Sequence, residues 1–447
     1  MPDLAQRNTW QSIDFFYLAF ILLIAAALRL LNLDYAEFKG DEANNLFSAL
    51  PIITRGRLPL AGIESSIGTF NPPIFSYLLA IPLFFSRNPV VATGFVGVVN
   101  CLSVAALYLL CRRFFNARTA RIATLLFAIN PWAVFYSRKI WQQDLLPLFV
   151  VGFLFCVLTV ATEKRGPALI CAFAFLAAAT QLHLSSVYLI FVLVIVLISQ
   201  RPGVGWRYHA AGLAILGLSY APYLLFDLLH RGYNARAYLD VFHRPIRFHP
   251  EAVFLPFRMA TTMDFLPFGS FPTLDLLQAG LICGGAIYAW ARLRKPQYLI
   301  VALWFFVPMA LLSVSKLDPY QHYFIAFYPV QFILAAICAD ALIAWLSARN
   351  KMLGYGVTGL VAVIMLYQLN VSVRFLNFIT TQKNIAWMEY GPPLKVRVVE
   401  IRELSKQGIA APEEIQRNLL QGKSQAAALK YDFSATKYLL QNLNPEP

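Results

Sequence analysis

Long apolar runs recur along this chain, separated only by short polar stretches, and they constrain the fold more than any motif does. Eleven such runs are readable, at 14–33, 90–111, 119–137, 145–162, 167–182, 184–200, 208–228, 273–293, 298–315, 322–346 and 353–373. Crossing about 30 Å of hydrocarbon takes roughly 20 apolar residues in a helix. In lipid a single segment satisfies its backbone only as a helix. The pattern therefore predicts an all-α polytopic membrane protein of about eleven transmembrane helices. Composition agrees, because hydrophobic residues make up 59% of 447 and charged residues 13%. A soluble domain carries about a quarter charged residues. The first run lacks a small-residue cleavage site and is long enough to span, which reads as an anchor rather than a removed signal peptide.

The formal net charge of +14 would suggest nucleic acid in a soluble protein. Here the basic residues collect in short loops, so the charge reads as topology and no nucleic-acid partner is expected. Arg112, Arg113, Arg118 and Arg121 follow the second run, Lys164 and Arg165 the fourth, and Arg201 and Arg207 the sixth. Arg292, Arg294 and Lys295 follow the eighth, and Arg349 and Lys351 the tenth. Threading eleven spans puts all five clusters on one side, which is then cytoplasmic, with the N-terminus inside and the C-terminus outside. The six cysteines lie in apolar runs or at their ends, which predicts neither a disulfide framework nor a cysteine metal site.

Residues 72–87 are apolar and almost long enough to cross. A crossing there would move the Arg112–Arg121 cluster outside, so they read as an interfacial or re-entrant outer helix. Three polar stretches then lie outside: the loops 34–89 and 229–272 and the tail 374–447. The expected division is a membrane catalytic unit over 1–373 and a small extracytoplasmic domain or appendage over 374–447.

Four polar clusters sit at outer ends of different spans. Asp41 and Glu42 open an amphipathic helix after the first run. Asp41 as N-cap with Glu42 in the first turn is the structural reading, and a carboxylate base for an acceptor hydroxyl or amine is the functional one. Arg138 and Lys139, in a stretch running to Asp144, place two cations on the outer side against the charge rule. Interfacial anchoring accounts for them, and so does an anionic lipid phosphate. His183 lies at a tight outer turn, Lys316 and Tyr320 precede the tenth run, and His322 and Tyr323 open it. These read as interfacial aromatic belts or as walls of a common site. Arg258, in the second outer loop, is a further candidate.

The order of these motifs resembles a known family. The first outer loop opens with Asp41-Glu42-Ala43, and Asn71-Pro72-Pro73 leads into an aromatic-rich helix. Cys111-Arg112-Arg113-Phe114-Phe115 follows, then Asn130-Pro131 through Tyr136-Ser137-Arg138, then Tyr320 through Pro329. Over about residues 10–345 this is similar to the polyprenyl-phosphate-sugar-dependent glycosyltransferases of the GT-C fold. Within them it resembles the dolichyl-phosphate-mannose–protein mannosyltransferases and their bacterial relatives, the aminoarabinose transferases of lipid A. The tail is outside the resemblance.

The resemblance implies transfer of a sugar from a polyprenyl-phosphate carrier at the extracytoplasmic face, with inversion, to a protein, lipid or glycan acceptor. It makes Asp41 the candidate base with Glu42 beside it, and Arg138 the contact for the departing phosphate. Asp144 matches a second acidic position loosely. Gln321-His322 stands where relatives carry Pro-Arg, which shifts the phosphate contact toward His322 or Lys316, and Gln181-Leu182-His183 replaces a frequent lysine. Members differ in metal dependence, which leaves a divalent metal open, and no metal-ligand spacing is evident. A transporter or flippase of lipid-linked glycans is the alternative from another class. It would place ionisable residues near the bilayer midplane, where they are scarce here. A polysaccharide polymerase or ligase shares the same outer site.

Overall fold

The computed structural model describes residues 11–261, 263, 270–381, 390–406 and 433–442. Helices dominate, and the only strands among these residues are two short ones. Helix α1 is Ser12–Leu30, α2 Gly40–Arg55, α3 Ile74–Phe85, α4 Pro89–Phe114, α5 Ala117–Ile129 and α6 Pro131–Tyr136. Then come α7 Leu146–Glu163, α8 Gly166–Leu182, α9 Tyr188–Gln200, α10 Trp206–Ser219, α11 Ala221–Leu229 and α12 Tyr233–His243. The last seven are α13 Glu251–Thr261, α14 Pro272–Trp290, α15 Pro296–Ser313, α16 Tyr328–Ser347, α17 Lys351–Thr381, α18 Leu394–Lys406 and α19 Phe433–Asn442.

Among the described residues, six helices are long and apolar enough to cross a membrane, at Ser12–Leu30, Pro89–Phe114, Gln142–Glu163, Pro296–Ser313, Gln321–Ser347 and Lys351–Thr381. The pair α10 and α11 makes a seventh when read as one span bent by 42°. The expected run 119–137 is not one helix. Asn130 ends α5, its side chain accepts the Ala133 N–H at 2.9 Å, and Pro131 starts α6 with no donor to lose. Residues 72–87 contain the twelve-residue α3, shorter than a span.

The segment 229–272 is not a simple outer loop. It holds α12 and α13, and α13 packs against α14, α15 and α16 with Ala252, Leu255, Met259 and Ala260 buried. The last carbonyls of a helix lack intrahelical partners. Here amide side chains from three other parts of the bundle supply them. Ala260 O accepts from Asn130 Nδ2 at 3.0 Å, Gln278 Nε2 at 2.8 Å and Gln368 Nε2 at 2.7 Å. Gln331 Nε2 donates to Pro256 O at 2.6 Å. These four buried amides explain polar residues inside apolar helices: they hold α13 in place.

The two strands, β1 (Arg247–Phe248) and β2 (Val314–Ser315), pair antiparallel and tie the approach to α13 to the end of α15. α4 carries the chain from the loop-rich end of the bundle to the opposite end. There Asp14 accepts from Arg112 and Arg121, both at 3.3 Å, and Arg118 meets Asp340 at 2.9 Å. α17 runs to Thr381, past the expected end at 373. The described parts of the tail return to the loop-rich end and pack on residues 35–47.

Candidate active site

The loop-rich end encloses a cavity of about 890 Å³. α2 supplies its first wall. Asp41 lies in the first turn, not at the N-cap, which is Lys39. Asp41 is exposed and lines the cavity, and Asn45, four residues on along the same helix face, lines it too. Glu42 points the other way and is fully buried, accepting the Lys39 N–H at 2.9 Å. Asp41 therefore does not cap α2.

Behind this wall lies a buried ionic cluster. Glu37 pairs with Lys139 and, at 3.1 Å, with Lys39. Lys139 Nζ sits 3.4 Å from the centroid of the Trp141 ring, which faces the cavity. Burial alone would raise the Glu37 carboxyl, but the ammonium groups of Lys139 and Lys39 outweigh it and hold Glu37 below the usual range. Glu42 has the opposite fate: burial and the neighbouring Glu37 charge push it up to about 8.

The facing wall comes from the turn after α8 and the segment before α16. His183 Nδ1 accepts the Ser185 N–H at 3.2 Å, and its ring centroid is 5.9 Å from that of His322. Desolvation, with His322 beside it, pushes His183 down to about 3, so it stands neutral with its proton on Nε2. His322 stacks on Tyr320 at 5.6 Å and meets the Trp141 ring edge-on at 5.7 Å. Lys316 lines the same cavity, donates to the Phe242 carbonyl and lies 4.3 Å from the centre of that ring. Tyr323 joins it, while Tyr320 faces a smaller adjoining recess of about 240 Å³ with Lys316 and Arg247.

Asp41, His183, Lys316, His322 and Tyr323 are thus brought to one cavity from three separate regions of sequence. The other candidates are not. Arg138 is fully buried, and its guanidinium is spent on the carbonyls of Leu28 at 3.3 Å, Leu31 at 2.7 Å and Asn32 at 2.8 Å, where it closes the end of α1. Lys139, expected beside it, is likewise buried and paired with Glu37. Asp144 is buried behind Gln142 and Gln143, which do line the cavity. Arg258 lies on the exposed side of α13, away from the cavity lining.

The sequence reading missed Asn45, Glu64, Tyr220, Tyr223 and Tyr238 as cavity residues. Asn45 had a signal, its four-residue spacing from Asp41. Glu64 sits on a hairpin where Ser65 N–H donates to Thr69 O at 2.7 Å, and the Tyr233 hydroxyl reaches its carboxylate at 3.1 Å. Among the described residues no group of three or more His, Cys, Asp or Glu gathers as a metal-ligand set.

Comparison with solved structures decides the fold. ArnT from Cupriavidus metallidurans, bound to undecaprenyl phosphate, aligns over 90% of this chain and 82% of its own, with a TM-score of 0.64 at 15% identity. The fold is that of the GT-C membrane glycosyltransferases. The GT-C match extends to the oligosaccharyltransferase of Archaeoglobus fulgidus in its apo form, with a TM-score of 0.55, 13% identity, and 96% of this chain and 63% of that one covered. AglB from the same organism, in complex with an inhibitory peptide and a dolichol-phosphate, gives 0.52 at 15% identity over 93% and 60%. Within the GT-C frame, residues 71–226, from the approach to α3 into α11, match the dolichyl-phosphate-mannose-protein mannosyltransferase family model. No curated protein matches the sequence.

Proposed function

We propose that this chain is a membrane glycosyltransferase that takes a sugar from a polyprenyl-phosphate carrier and passes it, with inversion, to an acceptor hydroxyl or amine. The observation that carries the reading is one cavity shared by the exposed carboxylate of Asp41 and, from other elements, Lys316 and His322. A leaving phosphate needs positive charge and donors where its negative charge develops, and the attacking group needs a base within reach. Asp41 takes the acceptor proton as the acceptor atom bonds to the anomeric carbon. The bond from that carbon to the phosphate oxygen breaks, and the lipid phosphate departs toward Lys316. Neutral His183 and the Tyr320, His322 and Tyr323 cluster donate hydrogen bonds and supply aromatic surface for the sugar. Glu42 holds Lys39 and does not touch the reacting atoms. The relatives bound to undecaprenyl phosphate and to dolichol-phosphate support a carrier of this class.

The cavity end is the extracytoplasmic one in this reading, because the short basic loops gather at the other end. A cysteine tag placed after Arg113 is then labelled only from the cytoplasm. The activity is tested by supplying the purified chain with radiolabelled polyprenyl-phosphate sugars and envelope extract. Transfer of label into an acceptor with release of polyprenyl phosphate is expected. Intact donor after prolonged incubation across the common carrier sugars would contradict the reading.

A further inference from the structure

The described end of the chain, which lies beyond the family match, is woven onto the residues just before Asp41. Phe38 N–H donates to Pro392 O at 3.2 Å and Leu394 N–H to Ala36 O at 2.8 Å, which sets Glu37 opposite Pro393 in an antiparallel bridge. The Gly391 N–H donates to the Glu37 carboxylate, and the buried Tyr390 gives its hydroxyl to Tyr35 O at 2.6 Å. On α19 the buried Tyr438 packs its ring 5.8 Å from that of Phe38 and 5.1 Å from that of Phe47, which belongs to α2.

Gly391 stands where a side chain has no room. A Cβ there would lie 2.4 Å from Lys39 Cδ and 2.7 Å from its Cγ. Those are middle carbons of a stem whose ammonium is already fixed, 3.1 Å from Glu37 and 5.7 Å from the Trp141 ring centre. Displacing the stem therefore disturbs the ion pair and the cavity wall together. Lys39 is also the N-cap of α2, two residues before Asp41, and its N–H is held by Glu42.

We infer that segment 390–394 is a clasp that sets where Asp41 stands on the cavity wall, and that Gly391 is a positioning residue acting through Lys39. The inference rests on the reading of Asp41 as the base. A segment that only added stability would leave the position of Asp41 unchanged once the protein folds.

The test compares full-length Gly391→Val with wild type for turnover and donor KM. It also follows the rate at which a charged methanethiosulfonate modifies Asp41→Cys, in a background with the six native cysteines replaced. Displacements of about 1 Å at a reacting group cost up to roughly a hundredfold, so kcat falls about tenfold or more while donor KM holds within about twofold. Labelling at position 41 changes by about threefold or more, and Lys39→Ala combined with Gly391→Val loses no more turnover than Lys39→Ala alone. If valine prevents folding, Gly391→Ala shows the same pattern at smaller size. Wild-type turnover and labelling in the folded Gly391 variants overturn the clasp, and so do losses that multiply in the double variant. Normal turnover in Asp41→Asn, with labelling still responsive to Gly391→Val, removes the base assignment and leaves the clasp standing.

Discussion

Asn45 Nδ2 donates to the Ile140 carbonyl at 3.0 Å, and this bond fastens the helix that carries Asp41 to the segment that carries Trp141. Both side chains then face one cavity from elements almost a hundred residues apart in sequence. Replacing Asn45 by Leu keeps the volume and removes the donor, which leaves a buried carbonyl unpaired at a cost of roughly 1–3 kcal/mol. Turnover is expected to fall at least tenfold, with donor KM little changed, in steady-state kinetics on purified protein.

Lys316 is the cation placed to meet the departing phosphate. A hydrogen bond to a charged group is worth about 1.5–3 kcal/mol, so Lys316→Ala weakens binding of polyprenyl phosphate by roughly ten- to a hundredfold. Lys316→Arg retains much of it, because charge matters more than shape for a single phosphate contact. Isothermal titration with polyprenyl phosphate in detergent reads both.

Arg138 gives the opposite pattern. Its three acceptors are backbone carbonyls at the end of α1 and just beyond it. Arg138→Ala strands them and lowers stability by roughly 3 kcal/mol. The folded fraction keeps its affinity for polyprenyl phosphate. A thermal-shift assay combined with the same titration separates this from a phosphate-binding role.

Glu42 predicts how stability responds to pH. Its carboxyl is raised from the usual 4.5 to about 8 by burial and by Glu37. A raised folded-state value means that the folded chain holds the proton more tightly than the unfolded one. This contribution is fully present below about pH 4.5 and is lost as pH rises through about 8. The melting temperature of wild type is expected to drop between pH 6 and 9 by several degrees, and Glu42→Gln to flatten that drop. Circular dichroism melts across that range check it.

Much of the architecture was legible because apolar runs and basic loops are local signals. So were the residues that meet in the cavity: Asp41, His183, Lys316, His322 and Tyr323 all stand where an apolar run gives way to a polar turn. What was hidden depends on distant backbone. Arg138 shows in sequence only as a cation in a loop, which says nothing of the carbonyls at the end of α1 to which it donates. α13 looked like loop because its burial relies on Asn130, Gln278, Gln331 and Gln368, four amides far apart in sequence that each look like a blemish in an apolar run. The bridge between Glu37 and Pro393 leaves no side-chain pattern at all.

The measurement that bears most directly on the account is turnover of radiolabelled polyprenyl-phosphate sugar by Asp41→Asn. The substitution keeps the size of an exposed side chain in the first turn of α2 and removes only its ability to take a proton. The account predicts a loss of about a hundredfold or more in kcat, in line with what a general base contributes, with unchanged melting temperature and donor KM. Turnover within a few-fold of wild type would contradict it.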